Sequence, residues 1–397
     1  MKIKYLPVII AIITLISCNR GKEVLMFSTF REPATDGLYL AWSEDGYHWN
    51  DLGGPYLKPE VGTQPVMRDP SVVRASDGTY HMVWTSSWKD DQGFGYASSK
   101  DLVNWSDQKW IPVMQHEPTT ANVWAPEIFY DDEEDRYIII WASTIPYRFE
   151  KGEEEEFSNH RMYYTTTKDF KTFSEARLFL DPGYSVIDAV IVKRGKGDYV
   201  LVLKDNTRPN RNLRVGFSTT PLGPYAGISD TLTPKYTEGP SVIRIGNEWL
   251  IYYEAYRSRV FGAVKTTDFK SFTDISNEIT LPPGHKHGTI FKSDRKTLEA
   301  LIKVPESKLT SQPDQSASLI DPDRFKHYVD LFNRMEDENI VNYVPNDRSW
   351  DWMKENIPLF ECPQDNLRVW YRGNEGGKMA WKRASAADGG LKMPVRR

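Results

Sequence analysis

The sequence has few cysteines, no excess of charge of one sign, and one long apolar run. Its two cysteines exclude a disulfide framework, and Cys362 stands in no metal-ligand spacing. Fifty basic against 55 acidic side chains give a formal charge of −5, which argues against nucleic acid as the main partner. With 40% apolar and 26% charged residues among 397, the chain is neither disordered nor fibrous in composition.

The apolar run lies at the N-terminus and is typical of a signal peptide. Lys2 and Lys4 introduce it, and residues 5–16 are too few to span a bilayer as a helix. The string Leu15-Ile16-Ser17-Cys18 resembles the lipobox of bacterial lipoproteins, in which the cysteine becomes the acylated first residue. We therefore expect residues 1–17 to be removed and Cys18 to anchor the protein in the cell envelope, periplasmic or at the surface. An ordinary secretory signal is the alternative, but it leaves the position of the cysteine unexplained.

Aromatic residues are the one abundance, at 17 Phe, 13 Trp and 21 Tyr, or 13% of the chain. Aromatic side chains favour β-strands, so a β-rich core is the simplest interpretation. Flat faces that stack on sugar rings are the second. Composition alone leaves both interpretations open.

A short motif recurs five times along the chain. It consists of a small hydroxyl residue, an aspartate, an apolar or aromatic residue and a closing aromatic; its copies, one of them looser, lie at residues 43–49, 99–105, 167–173, 218–225 and 266–272. Their spacing of roughly 50 to 70 residues is that of blades in a β-propeller. Each copy is expected to end a strand. Two further strands are predicted before each of the later four copies, the first of each pair at residues 70–74, 125–129, 190–192 and 240–243.

The first repeat lacks an opening strand of its own. Residues 287–291 supply one at the far end, followed by a predicted partner strand at residues 298–302. The strand count closes only if the two ends of the segment share a blade, which also removes free sheet edges. The sequence therefore predicts an all-β domain over residues 18–304, a five-bladed β-propeller with no helix inside it.

After residue 304 the pattern changes. Residues 307–318 are polar and read as a linker. Phe325, Val329 and Phe332 stand at the spacing of an amphipathic helix, and residues 349–356 predict a second short one. Beyond Pro363 the chain is basic and aperiodic and predicts no regular structure. Residues 305–397 are thus assigned to a linker and a short, truncated helical module.

In a propeller the first strand of each blade lines the axis, so residues at its start can meet in one pocket. At that position the sequence places Asp69, Trp124 with Glu127, Asp188, Glu238 and His287. Three carboxylates in one pocket cannot all ionise freely, because like-charge repulsion raises at least one pKa. A protonated acid beside an ionised base is what an inverting glycosidase needs. Each acid alone is more often structural than catalytic, and only their joint placement favours catalysis.

The other residues at this position have alternative roles. Trp124 is either a platform for a sugar ring or a core residue, and Glu127 beside it is assigned to substrate binding. His287 could bind a substrate hydroxyl, hold a central water, or ligate a structural ion in the channel. Because no second histidine or acid stands at ligand spacing, no metal site is predicted, and no cofactor is required.

These segments as a set resemble glycoside hydrolase family 43. The resemblance rests on Arg68-Asp69-Pro70, on Trp124-Ala125-Pro126-Glu127, and on residues 77–80, 99–105, 186–189, 236–240 and 287–288. It implies a five-bladed propeller of inverting enzymes that act on arabinose, xylose or galactose linkages in plant glycans. It also implies Asp69 as general base, Glu238 as general acid, and Asp188 as the residue that orients Glu238 and raises its pKa. Ala189 departs from the proline that many members have.

The end of the chain has a second, shorter resemblance. Residues 342–346, 350–356 and 358–363 are similar to the opening of bacterial glycosidases with an (α/α) toroid domain. A complete domain of that kind is much longer than the remaining sequence. We therefore expect a truncated second module here.

Together these patterns predict a lipoprotein that removes arabinofuranosyl, xylosyl or galactosyl residues from plant polysaccharides or oligosaccharides. Its expected partners are the glycan and, through the lipid at Cys18, a membrane. A catalytically silent propeller that only binds glycan is the alternative. A structural propeller that docks proteins is disfavoured, because it would not need clustered carboxylates.

Overall fold

The computed structural model describes residues 23–305, Leu309, and the backbone of two strands closer to the C-terminus. Residues 23–305 form a five-bladed β-propeller, which confirms the predicted fold class. In chain order its strands are β1 (Glu23–Thr29), β2 (Tyr39–Ser43), β3 (Asn50–Asp51), β4 (Arg68–Arg74), β5 (Tyr80–Thr85), β6 (Gly93–Ser99), β7 (Lys109–Pro112), β8 (Trp124–Asp131), β9 (Arg136–Ser143), β10 (Arg161–Thr167), β11 (Arg177–Leu180), β12 (Val186–Gly195), β13 (Asp198–Asp205), β14 (Asn212–Ser218), β15 (Thr237–Ile245), β16 (Glu248–Ala255), β17 (Val260–Thr266), β18 (Thr273–Asp274) and β19 (Ile290–Asp294).

Each blade is an antiparallel sheet whose first strand faces the axis. Blade 2 contains β4–β7, blade 3 β8–β11, blade 4 β12–β14 and blade 5 β15–β18. Blade 1 has the order β19, β1, β2, β3, so its inner strand comes from the far end of the domain. β1 and β19 pair from Glu23↔Asp294 to Phe27↔Ile290. The predicted ring closure is confirmed.

One apolar core fills the space between each pair of neighbouring blades. The middle strand of a blade is therefore buried on both faces. On β13, for example, Leu201 packs into the core shared with blade 3, whereas Val202 packs into the core shared with blade 5. For this reason the sequences of the middle strands are continuously apolar and do not alternate between apolar and polar residues.

All five copies of the recurrent motif begin at the last residue of a strand, namely β2, β6, β10, β14 and β17. In the second copy Ser99 Oγ accepts the N–H of Leu102 at 2.9 Å. Asp101 Oδ1 accepts the N–H groups of Val103 and Asn104 at 2.9 and 2.7 Å. Leu102 takes a left-handed conformation (φ 64°) and is fully buried. The motif is thus a turn that folds an apolar side chain back into the core between two blades.

A helix, α1 (Arg295–Ile302), lies where the partner strand at residues 298–302 was predicted. That prediction was wrong, and so was the expectation of no helix within residues 18–304, because β1 already pairs with β19 and leaves no place for another strand. Asp294 caps the helix by accepting the N–H of Thr297 at 2.8 Å. Leu298 and Leu301 lie three residues apart on one helix face and are buried in the core between blades 1 and 2.

Two strands near the C-terminus, β20 (Val369–Glu375) and β21 (Lys378–Ala384), pair antiparallel. No regular structure was predicted there, although Gly376-Gly377 between two aromatic-containing stretches is a hairpin signal. The predicted signal peptide with Cys18, the linker apart from Leu309, and the helices near Phe325 and at residues 349–356 lie outside the described residues. Within the described part of the chain, no helix has the length and apolarity needed to cross a bilayer.

Candidate active site

The inner strands of blades 2 to 5 start with the same bulge. In each, the pairing with the middle strand shifts register, and one residue takes a positive φ of 46–57°; these residues are Asp69, Ala125, Asp188 and Gly239. A left-handed conformation is rare outside glycine, so the surrounding structure must hold it. At this bulge Asp69 and Asp188 line a narrow channel along the propeller axis.

Glu238 lies one residue earlier in its strand than the bulge. It is equivalent to Arg68, Trp124 and Ile187, so the prediction of one shared register for all the acids is wrong for Glu238. Gly239 takes the bulge position instead, and a Cβ there would lie 2.1 Å from Cγ of His287. The offset moves Glu238 out of the channel and into the wall of a wider cleft.

The channel and the cleft adjoin each other, because consecutive residues of the inner strands, such as Asp188 and Ile187, line one and then the other. The cleft has a volume of about 1140 Å³, and its walls include Glu238, Arg68, Trp88, Trp124, Lys204 and Glu254. The channel has a volume of about 20 Å³ and is lined by Asp69, Asp188, Glu127 and His287 among others. A polar space of that size is enough for one water molecule.

Asp69 lines the channel and is held there as a carboxylate. Its Oδ2 accepts the hydroxyl of Thr85 at 2.7 Å, and its Oδ1 lies 2.9 Å from Nε2 of His287. Burial raises the pKa of Asp69, but the hydrogen bond and charge of His287 and the charge of Arg68 outweigh it, so the pKa lies below its usual range. An ionised carboxylate beside space for a water is what a general base requires.

His287 bridges two carboxylates. Its Nδ1 lies 3.0 Å from Oε2 of Glu254, which also pairs with Lys286. Burial lowers the pKa of His287, but its bonds to Asp69 and Glu254 raise it well above the usual range. The ring is therefore an imidazolium that donates from both nitrogens. This geometry favours a role that was not predicted for His287, the orientation of Asp69 inside the protein. The predicted contacts with a substrate hydroxyl or a central water stay predictions.

Glu238, Glu254 and His287 each place one potential metal-ligand atom within 4.8 Å of the others. These donors do not fit a divalent cation. Lys204 and Lys286 already neutralise the two carboxylates, and a ligating histidine must be neutral. The cluster is a network of paired charges.

Glu238 forms an ion pair with Lys204, whose Nζ lies 2.8 Å from Oε2. The Lys204 side chain is 4% exposed and that of Glu238 is 21% exposed. Burial raises the pKa of Glu238, but the charge of Lys204, followed by that of His287, lowers it to about 2. A general acid needs the opposite shift. Lys204, and not Asp188, therefore dominates the protonation of Glu238 in this geometry.

Of the three candidate catalytic acids, Asp188 binds a proton most readily. Burial raises its pKa to about 6; the charges of His287 and Lys204 oppose the rise, and those of Glu238 and Asp69 add to it. Its Oδ2 accepts the N–H of Gly239 at 3.1 Å, directly after Glu238. Asp188 is thus placed to orient the backbone that carries Glu238.

Trp124 stands in the cleft wall and is only partly packed against the core. Its ring contacts that of Trp88 in a tilted arrangement and stacks on that of His160, with centroid distances of 5.2 and 4.9 Å. Its indole N–H donates to the carbonyl of Trp88 at 2.8 Å, and Trp88 itself is 50% exposed. This arrangement favours the platform interpretation of Trp124.

Glu127 lines the channel and does not reach the cleft. Its Oε2 accepts the hydroxyl of Thr289 at 2.9 Å, and burial raises its pKa to about 7. Its predicted contact with substrate stays a prediction, and its position favours a structural role inside the ring.

Three side chains that contact the predicted residues were missed by the sequence reasoning. Thr85, Lys204 and Glu254 occupy equivalent positions at the ends of middle strands, and they bind Asp69, Glu238 and His287 respectively. The available signal was a charged residue directly after an apolar run, at the same position of two repeats.

A five-bladed propeller that brings carboxylates from separate blades to an aromatic-lined cleft has the architecture of a glycosidase-type propeller. Residues 23–299 match the model of a family related to glycoside hydrolase family 43, described as "Probable glycosyl hydrolase domain". The chain belongs to this family.

Similar proteins include an α-L-arabinofuranosidase of Bifidobacterium longum, 27% identical over 152 residues. The match covers 32% of this chain and only 14% of that relative. Among solved structures, an α-L-arabinofuranosidase from Lactobacillus brevis has 20% identity and a TM-score of 0.43, over 53% of this chain and 72% of that one. An arabinanase from Bacillus subtilis has 14% identity and a TM-score of 0.42, over 54% and 78%.

Proposed function

We propose that this protein is an inverting glycoside hydrolase that removes arabinofuranosyl, xylosyl or galactosyl residues from plant polysaccharides or oligosaccharides. The observation that carries the proposal is the clustering of Asp69, Asp188 and Glu238, from three blades, around His287 and Gly239. Asp69 Oδ1 lies 2.9 Å from Nε2 of His287, and a carboxylate oxygen of Glu238 lies within 4.8 Å of a nitrogen of the same ring. Asp188 accepts the N–H of Gly239, the residue after Glu238. Trp124 and Trp88 add the flat apolar faces on which a neutral sugar ring can stack. The family membership supports the same reaction class.

In the proposed reaction, Asp69 removes a proton from a water that attacks the anomeric carbon, and Glu238 protonates the departing oxygen. Asp69 is already ionised, as a base must be. Glu238 must first leave its ion pair with Lys204 and gain a proton, which we expect when the sugar enters the cleft. Asp188, with its pKa raised to about 6, is the nearby group that can hold this proton near neutral pH.

The roles are tested with Asp69→Asn and Glu238→Gln on nitrophenyl arabinofuranoside, xyloside and galactoside and on the matching oligosaccharides. Each variant should lose roughly 10²- to 10⁴-fold in rate. Because nitrophenolate leaves without a proton, Glu238→Gln should lose less on the nitrophenyl glycoside than on the oligosaccharide. Asp69→Asn should lose equally on both. Near-full rates of either variant on every active substrate would refute the assignment.

Glu248→Gln is the matched control, because Glu248 starts β16, the strand that also carries Glu254, and its side chain is 43% exposed. It should keep the wild-type rate. Inversion is checked separately by NMR of the first product anomer. Retention of configuration would exclude the water-activating role of Asp69.

A glycan-binding propeller without activity is the second candidate. The observation in its favour is the ion pair with Lys204, which keeps Glu238 ionised. Calorimetric binding of an oligosaccharide that the wild-type protein hydrolyses at no pH would favour this candidate.

We further propose that lipid on Cys18 anchors the protein in the cell envelope, on the strength of the lipobox-like string that precedes it. Cys18→Ala should then move the protein from the membrane fraction to the soluble fraction, or block its processing. Cys362→Ala is the control. Unchanged fractionation of Cys18→Ala would exclude the anchor.

A further inference from the structure

The connection from β9 to β10 carries two aromatic side chains that have no place in the core. Tyr147 is 83% exposed and Phe157 is 63% exposed. A single exposed apolar side chain needs no explanation, but a pair on one loop beside a ligand cleft marks an interaction site.

This loop is braced from within, so it presents the two rings on a defined surface. The N–H of Tyr147 donates to the carboxylate of Glu156, which brings the two aromatic residues to the same part of the loop. The Asn159 side chain donates to the carbonyls of Phe149 and Glu150 at 3.0 and 3.1 Å. Tyr147 also has a φ of 64°, a conformation that a tyrosine keeps only where its surroundings impose it.

The loop continues the aromatic wall of the cleft. Ser158, next to Phe157, lines the cleft, and His160 stacks on Trp124 in its wall. Through Ser158 and His160, the loop that carries Tyr147 and Phe157 therefore borders the part of the cleft that holds Trp88 and Trp124.

The charge of the loop limits what can bind there. Residues 147–160 contain five acidic side chains against two basic ones. Glu153 and Glu155 are exposed beside Phe157, and of the two Glu155 pairs with Arg208 at 3.0 Å. Chains rich in uronate would be repelled at this rim, whereas neutral chains would not.

We propose that Tyr147 and Phe157 form an outer subsite that binds the neutral glycan chain beyond the sugar that is cleaved. The rings offer apolar faces to the C–H groups of successive sugars, and the acidic loop excludes polyuronates. This inference rests on the proposed function, since it extends the same cleft.

The test compares wild type with the double variant Tyr147→Ala/Phe157→Ala on two kinds of substrate. On neutral arabinan, xylan or galactan, whichever the wild type cleaves, KM should rise by roughly tenfold, because each aromatic contact contributes about 0.5–1.5 kcal/mol. On the matching nitrophenyl glycoside, which is too short to reach the rim, kcat and KM should stay unchanged. Tyr130→Ala is the control, because Tyr130 is 38% exposed but lies toward the opposite end of β8 from Trp124.

Binding is measured independently of turnover by affinity electrophoresis of Glu238→Gln, with and without the two alanine substitutions, in gels containing neutral polysaccharide or polygalacturonate. Retardation by the neutral chain alone, lost in the variant with both alanines, supports the subsite even if the wild type hydrolyses nothing, in which case only the proposed function fails. Wild-type KM of the double variant on an active polymer overturns the subsite. Stronger retardation by polygalacturonate overturns the neutral ligand.

Discussion

Lys204 is the residue that sets the charge state of the candidate acid. It reaches Glu238 from the neighbouring blade and is itself almost fully buried. Without the ammonium, burial alone would raise the pKa of Glu238. The ion pair thus opposes the protonation that general acid catalysis requires, and it must open during turnover if Glu238 acts as proposed.

Lys204→Met should move the alkaline limb of the kcat/KM profile to higher pH. The pKa of Glu238 is about 2 with the lysine present and should rise toward its ordinary 4.5 when the lysine is removed, because burial is then opposed only by the charges of His287 and Lys286. The limb should therefore shift to higher pH by about two pH units, measured with an oligosaccharide whose leaving group needs the proton of Glu238. Lys204→Arg keeps the charge and should leave the limb in place. A folded Lys204→Met protein with an unmoved limb would show that the ion pair does not control the acid.

His287 contributes to stability through charge pairing, and the pH window of that contribution follows from the pKa directions. The pKa of His287 is raised well above 6.5, so its contribution is full below pH 6.5 and is lost as pH rises through the folded-state value. The pKa of Asp69 is lowered, so its contribution is lost only in acid. The joint contribution is thus greatest from mildly acidic pH to about pH 6.5.

His287→Gln should lower the free energy of unfolding by about 3–5 kcal/mol within this window, because two buried carboxylates lose their partner. The difference from wild type should shrink as pH rises further, as measured by urea denaturation over a pH series. His48→Gln removes a histidine that also lies 2.8 Å from a carboxylate, that of Asp45, but in solvent. It should change stability little at any pH. A pH-independent loss in His287→Gln would indicate packing, not charge, as the cause.

The site residues that could be predicted from the sequence are those with characteristic neighbours along the chain. Asp69 is followed by Pro70, and Glu238 is followed by Gly239-Pro240. Such short strings can be recognised in the sequence without a structure. Lys204 and Glu254 were missed because their contacts depend on how one blade faces the next. The one-residue offset of Glu238 was missed for a related reason, since a bulge appears only in the pairing of two strands.

Among the elements, the recurrent turn is the most regular feature of the propeller. In the copies after β6, β10 and β17, a hydroxyl and a carboxylate satisfy the backbone N–H groups of the turn, and a buried Leu102, Phe170 or Phe269 adopts a positive φ. The sequence predicted these strand ends correctly because the turn chemistry lies within seven residues. The strand predicted at residues 298–302 is instead part of α1. The sequence could not show this, because only the closed ring leaves no place for a further strand beside β1 and β19.

Asp101→Ala should lower the melting temperature by a few degrees. The aspartate accepts two backbone N–H groups, and both would lose this partner in the variant. Asp107→Ala, at an exposed position of the same loop, is the control and should melt like the wild type. Scanning calorimetry gives both values. Equal melting of the two variants would mean that the turn geometry is fixed by the buried Leu102 alone.

The molecule as a whole is held by its closure. Five cores between blades form a ring in which blade 1 is completed by β19, and removal of this strand would open two cores at once, through Phe291 and Ile290. Counting strands in the sequence was enough to predict the closure. The first repeat lacked an inner strand, and residues 287–291 at the far end of the domain supplied one extra. The shape of the cleft could not be predicted by counting strands, because it depends on loops such as the one that carries Tyr147.

Three shortened chains test the closure, each begun after the predicted signal peptide. The chain ending at Pro282 lacks β19 and α1, so β1 becomes an open edge beside uncovered apolar surface, and we expect aggregation. The chain ending at Asp294 keeps β19 but loses Leu298 and Leu301, each a buried leucine whose loss costs about 2–5 kcal/mol, so it should fold with a lower melting temperature.

The chain ending at Glu306 keeps every strand of the ring together with α1, Asp69, Asp188, Glu238 and His287. It should melt cooperatively and hydrolyse the same nitrophenyl substrate as the full chain, because what it lacks touches the ring only through Leu309 among the described residues. The three shortened chains are compared with the full chain by thermal melting and by the rate of hydrolysis of one nitrophenyl substrate. Cooperative melting with full activity in the chain ending at Pro282 would contradict the closure, and failure of the chain ending at Glu306 to fold would make the later residues part of the domain.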